Sequence, residues 1–302
     1  MLLSPCLFQD DIARMAETLK AVAEGNRRLE AMAVSKLLDY NEGKSRMIFF
    51  GGRKFKKKMK EELTRQPVMF CGKPMQVFES ERYLGDFLGS SVPQSVFLTI
   101  QRRKGLVLRL ISEIRVTLKD IRSDSIGGLI VGLEIWKKAV IPFLWNNSEC
   151  WFQIPKKVLD LINSLTHSFF RTLFCSAKGT PTSMFYWDTK SLLSQNYLIL
   201  RKLLFLHHLI SLPDDSLAKS ILNLKKEKGI TSEYTALLEE LDINEDPANY
   251  SKEHWKKHIS RKVHLKNKRE LVLQLNSSKK LEEEKLSFEE YEVKKKLHNE
   301  DL

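Results

Sequence analysis

The chain has 302 residues, and its 42% hydrophobic and 29% charged side chains are ordinary for a globular protein with a sizeable core. The formal net charge of +12 favours a polyanionic partner, most often nucleic acid. Four scattered cysteines without CxxC spacing exclude a zinc site of that kind and a disulfide framework, so they predict a reducing, intracellular compartment, either nucleus or cytoplasm. The sequence has no uninterrupted apolar run of about 18 residues, so no membrane span is predicted. No basic segment precedes the first apolar run, so no signal peptide is predicted.

The first 90 residues combine short strand patterns with helical ones. A strand is predicted within residues 1–8, a turn at Asp10-Asp11 and a helix over residues 12–38 that is interrupted at Gly25-Asn26. Further strands are predicted at residues 44–50, at 68–71 and 75–78 on either side of Gly72-Lys73-Pro74, and at 83–87.

The chain from residue 91 onward is predicted to be helical. Helical periodicity predicts helices over residues 94–119, 123–145, 156–174, 188–212 and 216–228. Gly127-Gly128 and Gly132 favour close helix packing, and Pro142 is expected to end or kink its helix. Asp215-Ser216 is interpreted as a helix N-cap. Residues 246–302 are highly charged, so we expect a long surface helix or two with little core, partly disordered at the C-terminal end.

The most informative motif is Phe8-Gln9-Asp10-Asp11, in which two aspartates are adjacent. Like charges held so close are costly, and a divalent cation removes that cost. Mg²⁺ prefers hard carboxylate oxygens, and in two-metal nucleotidyl transfer such carboxylates hold the ions that stabilise the attacking and leaving oxygens. The alternative, a turn with a helix N-cap, stays open on the residues alone.

The order of several motifs resembles that of reverse transcriptases of non-LTR (LINE-type) retroelements. Phe8-Gln9-Asp10-Asp11 is similar to their F/Y-x-D-D motif, and Asn41-Glu42-Gly43-Lys44-Ser45 is similar to the next palm motif. Tyr83-Leu84-Gly85 is similar to the Y-L-G strand that opens the primer-grip region. Residues 139–145 (AVIPFLW) with Glu149 and Trp151 resemble the L-P-x-L-L-Y-G-x-E-x-W pattern of the thumb and post-thumb region. The resemblance covers roughly residues 7–230.

The resemblance implies an α+β, mainly α fold. An incomplete polymerase palm of a few antiparallel strands would precede a helical thumb and a helical post-thumb region. The implied segments are residues 1–90 (partial palm), 91–150 (thumb-like), 151–245 (post-thumb) and 246–302 (charged helical tail, partly disordered). A palm that begins at F/Y-x-D-D lacks sheet neighbours, so an open strand edge is expected.

The resemblance also implies the residues of a polymerase site. Asp10 and Asp11 would be catalytic Mg²⁺ ligands, and Lys44 would lie near the phosphates of the incoming nucleotide. Tyr83, Leu84 and Gly85 would form a primer-grip-like strand. The implied partner is an RNA/DNA template-primer. For Lys44 the alternative is a solvated lysine at the end of a strand.

Two basic runs are candidates for contact with a nucleic-acid backbone. Arg102, Arg103, Lys104 and Arg109 fall in the first thumb-like helix, where polymerases contact duplex phosphates, although a plain surface position stays open. Residues 53–60 place six basic residues around Phe55. For this second run a solvated helix face, balanced by Glu61-Glu62, is the slightly preferred interpretation.

The histidines are not predicted to bind a metal. His254 and His258 have i,i+4 spacing, but Trp255-Lys256-Lys257 between them supply no catalytic glutamate, and the lysines repel a cation. Both are therefore predicted to be exposed helix residues. His207-His208 are predicted to pack or to cap.

One departure from the family pattern limits the predicted activity. The family carries its first metal-binding aspartate and its fingers well upstream of F/Y-x-D-D, whereas seven residues precede Phe8 here. Without that bridging carboxylate we expect no RNA-directed DNA polymerase activity from this chain alone, but retained nucleic-acid binding. Two alternatives stay open: an active polymerase completed by a missing N-terminal segment, and a helical protein-interaction module derived from a retroelement.

Overall fold

The computed structural model describes residues 6–8, 11–38, 40–41, 44–83, 85–89, 91–121, 126–151, 154–174, 176, 180–227 and 232–277. These residues are mainly helical with a few short strands, which confirms the predicted α+β, mainly α class at that level. The chain forms two compact units. The N-terminal unit is Met1–Arg102 with Phe152–Pro155, and the C-terminal unit is Arg103–Trp151 with Lys156–Leu302. The finer division into four segments stays a prediction.

The strands are β1 (Cys6–Phe8), β2 (Asp11–Ala13), β3 (Arg46–Ile48), β4 (Met69–Phe70), β5 (Lys73–Pro74), β6 (Gln76–Phe78), β7 (Ser80–Tyr83) and β8 (Asp86–Gly89). The helices are α1 (Leu19–Lys36), α2 (Arg53–Arg65), α3 (Val92–Ile121), α4 (Ile126–Ile135), α5 (Ile141–Leu144), α6 (Lys156–Phe174), α7 (Thr182–Asp188), α8 (Ser194–Ser211), α9 (Leu217–Glu227), α10 (Ser232–Glu240) and α11 (Lys252–Asn276). A π-helical turn (Trp136–Val140) lies between α4 and α5, and 3-10 turns lie at Ser148–Cys150 and Pro247–Asn249. Over the described residues, no helix is long and apolar enough to cross a membrane.

The N-terminal unit opens with an antiparallel strand pair. β1 pairs with β2 so that Phe8 lies opposite Asp11. The helix predicted from residue 12 therefore begins later, at Leu19, because Asp11–Ala13 form a strand. Its N-terminus is capped by the hydroxyl of Thr18, which accepts a hydrogen bond from the amide of Ala21 at 3.1 Å.

Helix α1 runs unbroken through Gly25 and Asn26, so the predicted interruption there is wrong. Both residues serve packing. A Cβ at Gly25 would lie 2.2 Å from the guanidinium carbon of Arg14, so a larger residue there would require the end of that side chain to shift. Asn26 is buried, and its Nδ2 donates to the carbonyl oxygen of Met69 at 2.9 Å. A buried amide with such a partner costs far less than an unpaired one.

Helix α2 connects β3 to β6, which pair in parallel. The strand predicted at 75–78 is thus present as β6, but β4 pairs with β5 instead of with β6. The described strands form four separate two-stranded sheets, three antiparallel and one parallel, whereas a few antiparallel strands were predicted. Two parallel strands need a crossover connection, and α2 lies in the connection between β3 and β6. The apolar side of α2 packs on the strands.

The core of the N-terminal unit lies between α1, α2 and the β3–β6 pair. Five buried side chains form it: Leu19, Met47, Phe49, Met59 and Val68. Burying each large apolar side chain stabilises the unit by about 1.5–3 kcal/mol. Met59 is the one buried residue of α2, so it fixes which face of that helix points to solvent.

The strand predicted over residues 83–87 is interrupted at Gly85, which has a φ of +90°. Tyr83 ends β7 and pairs with Asp86, which begins β8, so this motif forms a hairpin and not one strand. A left-handed glycine favours such a reversal. β8 is then held to α3, since the amide of Phe87 donates to the hydroxyl of Thr99 at 2.9 Å.

In the C-terminal unit, α4 packs closely on α6, as the glycines predicted. A Cβ at Gly132 would lie 2.2 Å from Cδ1 of Leu173. The helical run does not end at Pro142, which lies in the first turn of α5, but it changes type before the proline at the π-helical turn Trp136–Val140. Proline has no amide to donate to the carbonyl four residues back, and a π-helical turn accommodates that loss.

An aromatic cluster forms one part of the core. Trp136 stacks on Phe169 with centroids 4.3 Å apart, and Phe170 lies edge-to-face with Tyr186 at 5.7 Å. Burial raises the pKa of Tyr186 to about 12. His167 lies edge-on to Tyr186, and burial, with a smaller contribution from the charge of Arg171, holds the pKa of His167 below its ordinary value.

Helix α11 forms the other part of the core of the C-terminal unit. Residues 246–302 were expected to form a surface helix with little core, and for α11 this expectation is wrong. Every fourth residue from Trp255 to Leu275 is buried, and these are Trp255, Ile259, Val263, Asn267, Leu271 and Leu275. Trp255 is 0% exposed, and its Nε1 donates to the carbonyl oxygen of Leu203 in α8 at 3.0 Å. Part of the predicted 188–212 helix is present as α8, and α10 was not predicted.

Candidate nucleic-acid interface

The predicted metal ligands fall at the edge of the described region. Asp11 begins β2, while Asp10 lies outside the described residues. Among the described residues, no group of three or more His, Cys, Asp or Glu side chains lies together in a way that could hold a metal ion. The Mg²⁺ site at Asp10 and Asp11 therefore stays a prediction from the sequence.

The predicted nucleotide and primer contacts lie in the N-terminal unit. Lys44 is exposed, and its amide donates to the carbonyl oxygen of Asn41 at 3.0 Å. Tyr83 and Gly85 flank the β7–β8 turn, and Leu84 lies outside the described residues. Their predicted roles stay untested by this geometry.

The basic run of α3 divides into different environments. Arg103 is 4% exposed, and its Nη1 donates to the carbonyl oxygens of Leu144 at 2.9 Å and Asn146 at 3.0 Å. Its guanidinium also lies 5.7 Å from the ring centroid of Trp151. A guanidinium bonded in this way satisfies the carbonyl ends of α5, so Arg103 faces the core and not solvent.

The neighbours of Arg103 differ from it. Arg102 and Lys104 are partly exposed. Arg109 is exposed, and its Nε donates to Glu113 at 3.0 Å, one helical turn later. An exposed i,i+4 pair of this kind is weak, so a phosphate can replace the glutamate at small cost.

The thumb-like motif at residues 139–151 is a structural junction of the C-terminal unit. Trp145 lies against Trp151 and Tyr197, with centroids 6.3 and 5.4 Å away. Glu149 accepts hydrogen bonds from Nε and Nη2 of Arg201 at 2.9 and 2.6 Å. Charge-assisted double contacts of this kind orient both side chains. The motif thereby fastens its 3-10 turn to α8.

Helix α2 presents a basic face to solvent. Lys57 and Lys60 pair with Glu61 and Glu79, and the hydrogen bond from Lys60 holds the pKa of Glu79 below its ordinary value. Three further exposed cations, Arg53, Lys54 and Lys58, have no ion pair within the part of the chain that the structure describes. Two of the six cations thus have a carboxylate partner, one of them the predicted Glu61, and the choice between a solvated face and an anionic partner stays open.

Helix α11 has a second basic surface, which the site residues predicted from sequence did not include. The helix carries eight Lys and Arg residues against two Glu. Lys262 donates to the carbonyl oxygen of Asp242, and Lys266 pairs with Glu240 and Glu270. The other six cations are exposed: Lys252, Lys256, Lys257, Arg261, Lys268 and Arg269. The excess of Lys and Arg over Glu in Lys252–Asn276 was the signal in the sequence.

The histidines differ in exposure: His207 is buried, and its neighbour His208 is exposed. Nε2 of His207 is 2.9 Å from the carbonyl oxygen of Tyr250, and its ring stacks on Trp255 at 5.9 Å, which confirms the predicted packing role. His254 is exposed as predicted. His258 is half-buried against Tyr250 and Trp255, so its predicted exposure is wrong.

No family model, no curated protein and no solved structure matches this chain. The residues and their placement are therefore the basis for assigning a function.

Proposed function

We propose that this chain binds the phosphate backbone of nucleic acid as a part of an RNA-directed DNA polymerase of the non-LTR retroelement type. The sequence resemblance supports the polymerase origin through Phe8-Gln9-Asp10-Asp11 and the motifs that follow it. The charge of +12 supports an anionic partner. The template-primer is the proposed ligand.

The exposed cations of α2 are the observation that carries the binding proposal. Arg53 and Lys54 occupy the first turn of the helix, which contains no acidic residue. Cations are unfavourable at this end, because the helix dipole is positive there. An anion such as a phosphate removes the repulsion and gains the exposed amides as well. Met59 anchors the opposite face, so the cations are held on a fixed element.

Further residues of the family pattern keep proposed roles. Arg102, Lys104 and Arg109 are proposed backbone contacts of α3, while Arg103 is assigned to the core. Lys44 is a proposed phosphate contact, and the Tyr83–Gly85 turn is a proposed primer contact. Asp10 and Asp11 are proposed Mg²⁺ ligands, and the chemistry of the ion is to stabilise charge on phosphate oxygens.

Catalysis is a proposal separate from binding. Two-metal transfer needs a third carboxylate that bridges the ions, which the family supplies upstream of F/Y-x-D-D. We propose that primer extension requires such a segment in addition, and that Asp10→Ala then abolishes extension. Binding does not need the metal site and is the activity to measure first.

The test is the salt dependence of binding to an RNA–DNA hybrid. Each neutralised phosphate contributes about −0.9 to the slope of log K against log salt on a duplex. A triple variant R53Q/K54Q/K58Q should flatten that slope by about two to three units. The matched control, K20Q/R27Q/K36Q, removes the same charge from exposed positions of α1 and should change the slope by less than about one.

A helical protein-interaction module is the second candidate function. The observation behind it is the exposure of the apolar side chains of Leu106, Val116 and Ile130 in the C-terminal unit. This function requires that such side chains form a contiguous patch. This function predicts binding to a protein that is insensitive to salt, with neither charge variant having an effect.

A further inference from the structure

The exposed cations of α11 are not distributed evenly around the helix. With 3.6 residues per turn, Lys257, Arg261 and Lys268 fall within an arc of about 40°, whereas Lys252, Lys256 and Arg269 spread over about 140°. The first three therefore form a stripe, which we call the α11 stripe. Its length along the helix axis is about 16 Å.

At its N-terminal end the α11 stripe points away from the core, because Ile259 and Val263 are fully buried and lie on the side of the helix opposite Lys257 and Arg261. Lys268 lies within about 60° of the buried Leu271, but its side chain is exposed. Trp255 and Asn267 fix the helix by hydrogen bonds to α8 and to the segment before it. The stripe is thus a row of cations on a rigid support, and immobilising such a row costs little additional backbone entropy.

Among the described residues, no ion pair involves Lys257, Arg261 or Lys268. Lys268 lies 5.8 Å from the ring centroid of Trp187, which orients its ammonium without neutralising it. Like charges in a row repel one another, and a chain of phosphates relieves that repulsion.

The side chains of α11 favour a duplex over a single strand as the ligand. Binding of single-stranded nucleic acid relies on aromatic side chains on which bases stack. Helix α11 contains no Phe or Tyr, and its one tryptophan, Trp255, is 0% exposed. Helix α11 itself therefore offers contacts to phosphates and no exposed aromatic platform for splayed bases, although the partly exposed Trp187 of α7 lies beside Lys268.

We propose that the α11 stripe binds the phosphate backbone of a nucleic-acid duplex, without reading its sequence. This inference rests on the proposed nucleic-acid binding and assigns to it a surface separate from α2. Arg261 and the two lysines each contact a phosphate, so the stripe accounts for three neutralised charges. Duplexes of unrelated sequence bind equally well.

The experiment is fluorescence anisotropy of the full chain with a labelled duplex of about 20 base pairs, over about 50 to 200 mM salt. The stripe variant K257Q/R261Q/K268Q should flatten the slope of log K against log salt by about two to three units. The control variant K252Q/K256Q/R269Q also removes two lysines and one arginine from α11, and its slope should change by less than about one. Both variants alter exposed side chains, so equal urea midpoints verify the fold.

The outcomes distinguish a failure of the α11 stripe proposal from a failure of the proposed nucleic-acid binding. A stripe variant that keeps the wild-type slope overturns the inference, and the loss of slope in the α2 variant would still support the proposed function. Equal flattening by stripe and control variants also overturns the inference, because bulk charge then suffices. Tighter binding of single strands than of duplex overturns the assignment to a duplex. A wild-type chain that binds no nucleic acid at low salt overturns both.

Discussion

The guanidinium of Arg103 donates a hydrogen bond to the carbonyl oxygen of Leu144 at 2.9 Å, which joins α3 to the end of α5 inside the C-terminal unit. A basic residue in a run that was predicted to contact phosphates is therefore a core residue. A charged donor of this kind is expected to stabilise the fold and to contribute nothing to nucleic-acid binding.

Arg103→Met should lower the free energy of unfolding by about 2–4 kcal/mol, since two carbonyl oxygens lose a charged donor. Urea denaturation measures this. Arg109→Met, in the same helix but exposed, should change stability by less than about 0.5 kcal/mol. Equal effects of the two substitutions would contradict the burial of Arg103.

Gly132→Ala should destabilise the chain by about 1–3 kcal/mol, because its Cβ would lie 2.2 Å from Cδ1 of Leu173. Gly105→Ala in α3 is the control. A Cβ at Gly105 meets nothing within 4 Å, so alanine there should stabilise the helix by about 0.5–1 kcal/mol. The cost of Gly132→Ala should vanish in a Leu173→Ala background, and a cost that persists there would argue against this contact.

Asn267→Leu should destabilise the chain by about 2–4 kcal/mol. Asn267 Oδ1 accepts from the amide of Leu193 at 2.8 Å, and its Nδ2 donates to the carbonyl oxygen of Ser191 at 3.2 Å. Asn276→Leu, at the exposed end of the same helix, should have an effect within about 0.5 kcal/mol. Thermal unfolding of both variants decides this, and a tolerated Asn267→Leu would exclude the network as a stabilising element.

His167 should make stability fall as pH is lowered. Its folded-state pKa lies below the ordinary value of about 6.5 through burial, with a smaller contribution from Arg171. The unfolded chain therefore binds the proton first, so this contribution is complete above about pH 6.5 and declines as pH falls toward the folded pKa. The difference between the urea midpoints at about pH 7.5 and pH 5.5 should be smaller in His167→Gln than in wild type. An unchanged difference would exclude His167 as its source.

Helices whose apolar residues follow the standard period were predicted well from the sequence. α6 (Lys156–Phe174) has its predicted bounds, and α3 and α9 agree within a few residues. The N-cap at Ser216 is confirmed, since its hydroxyl accepts from the amide of Lys219 at 3.3 Å. Local patterns suffice in these places because each helix buries a fixed face.

The role of α11 could not be found in this way, because its buried residues repeat every four positions. Each step of four residues rotates the side-chain direction by about 40° around the helix axis. From Trp255 to Leu275 the row of buried side chains therefore turns through about 200°. No single face is then apolar throughout, and the many lysines favour a surface interpretation. The parallel pairing of β3 with β6 was missed because register depends on distant contacts.

The candidate site was predictable only in part. Charge and the basic runs are visible in the sequence, but burial separates Arg103 from Arg102 and Lys104, and no local pattern encodes that difference. The same holds for the α11 stripe, whose exposure follows from the packing of Trp255 and Asn267.

The central claim, binding of a phosphate backbone, is tested most directly by the wild-type chain and an RNA–DNA hybrid, titrated by anisotropy at several salt concentrations. If either set of three cations, that of α2 or that of the α11 stripe, neutralises three phosphates, log K should fall linearly with log salt with a slope of about −2.7 or steeper. A slope shallower than about −1, or no binding at low salt, would contradict the account.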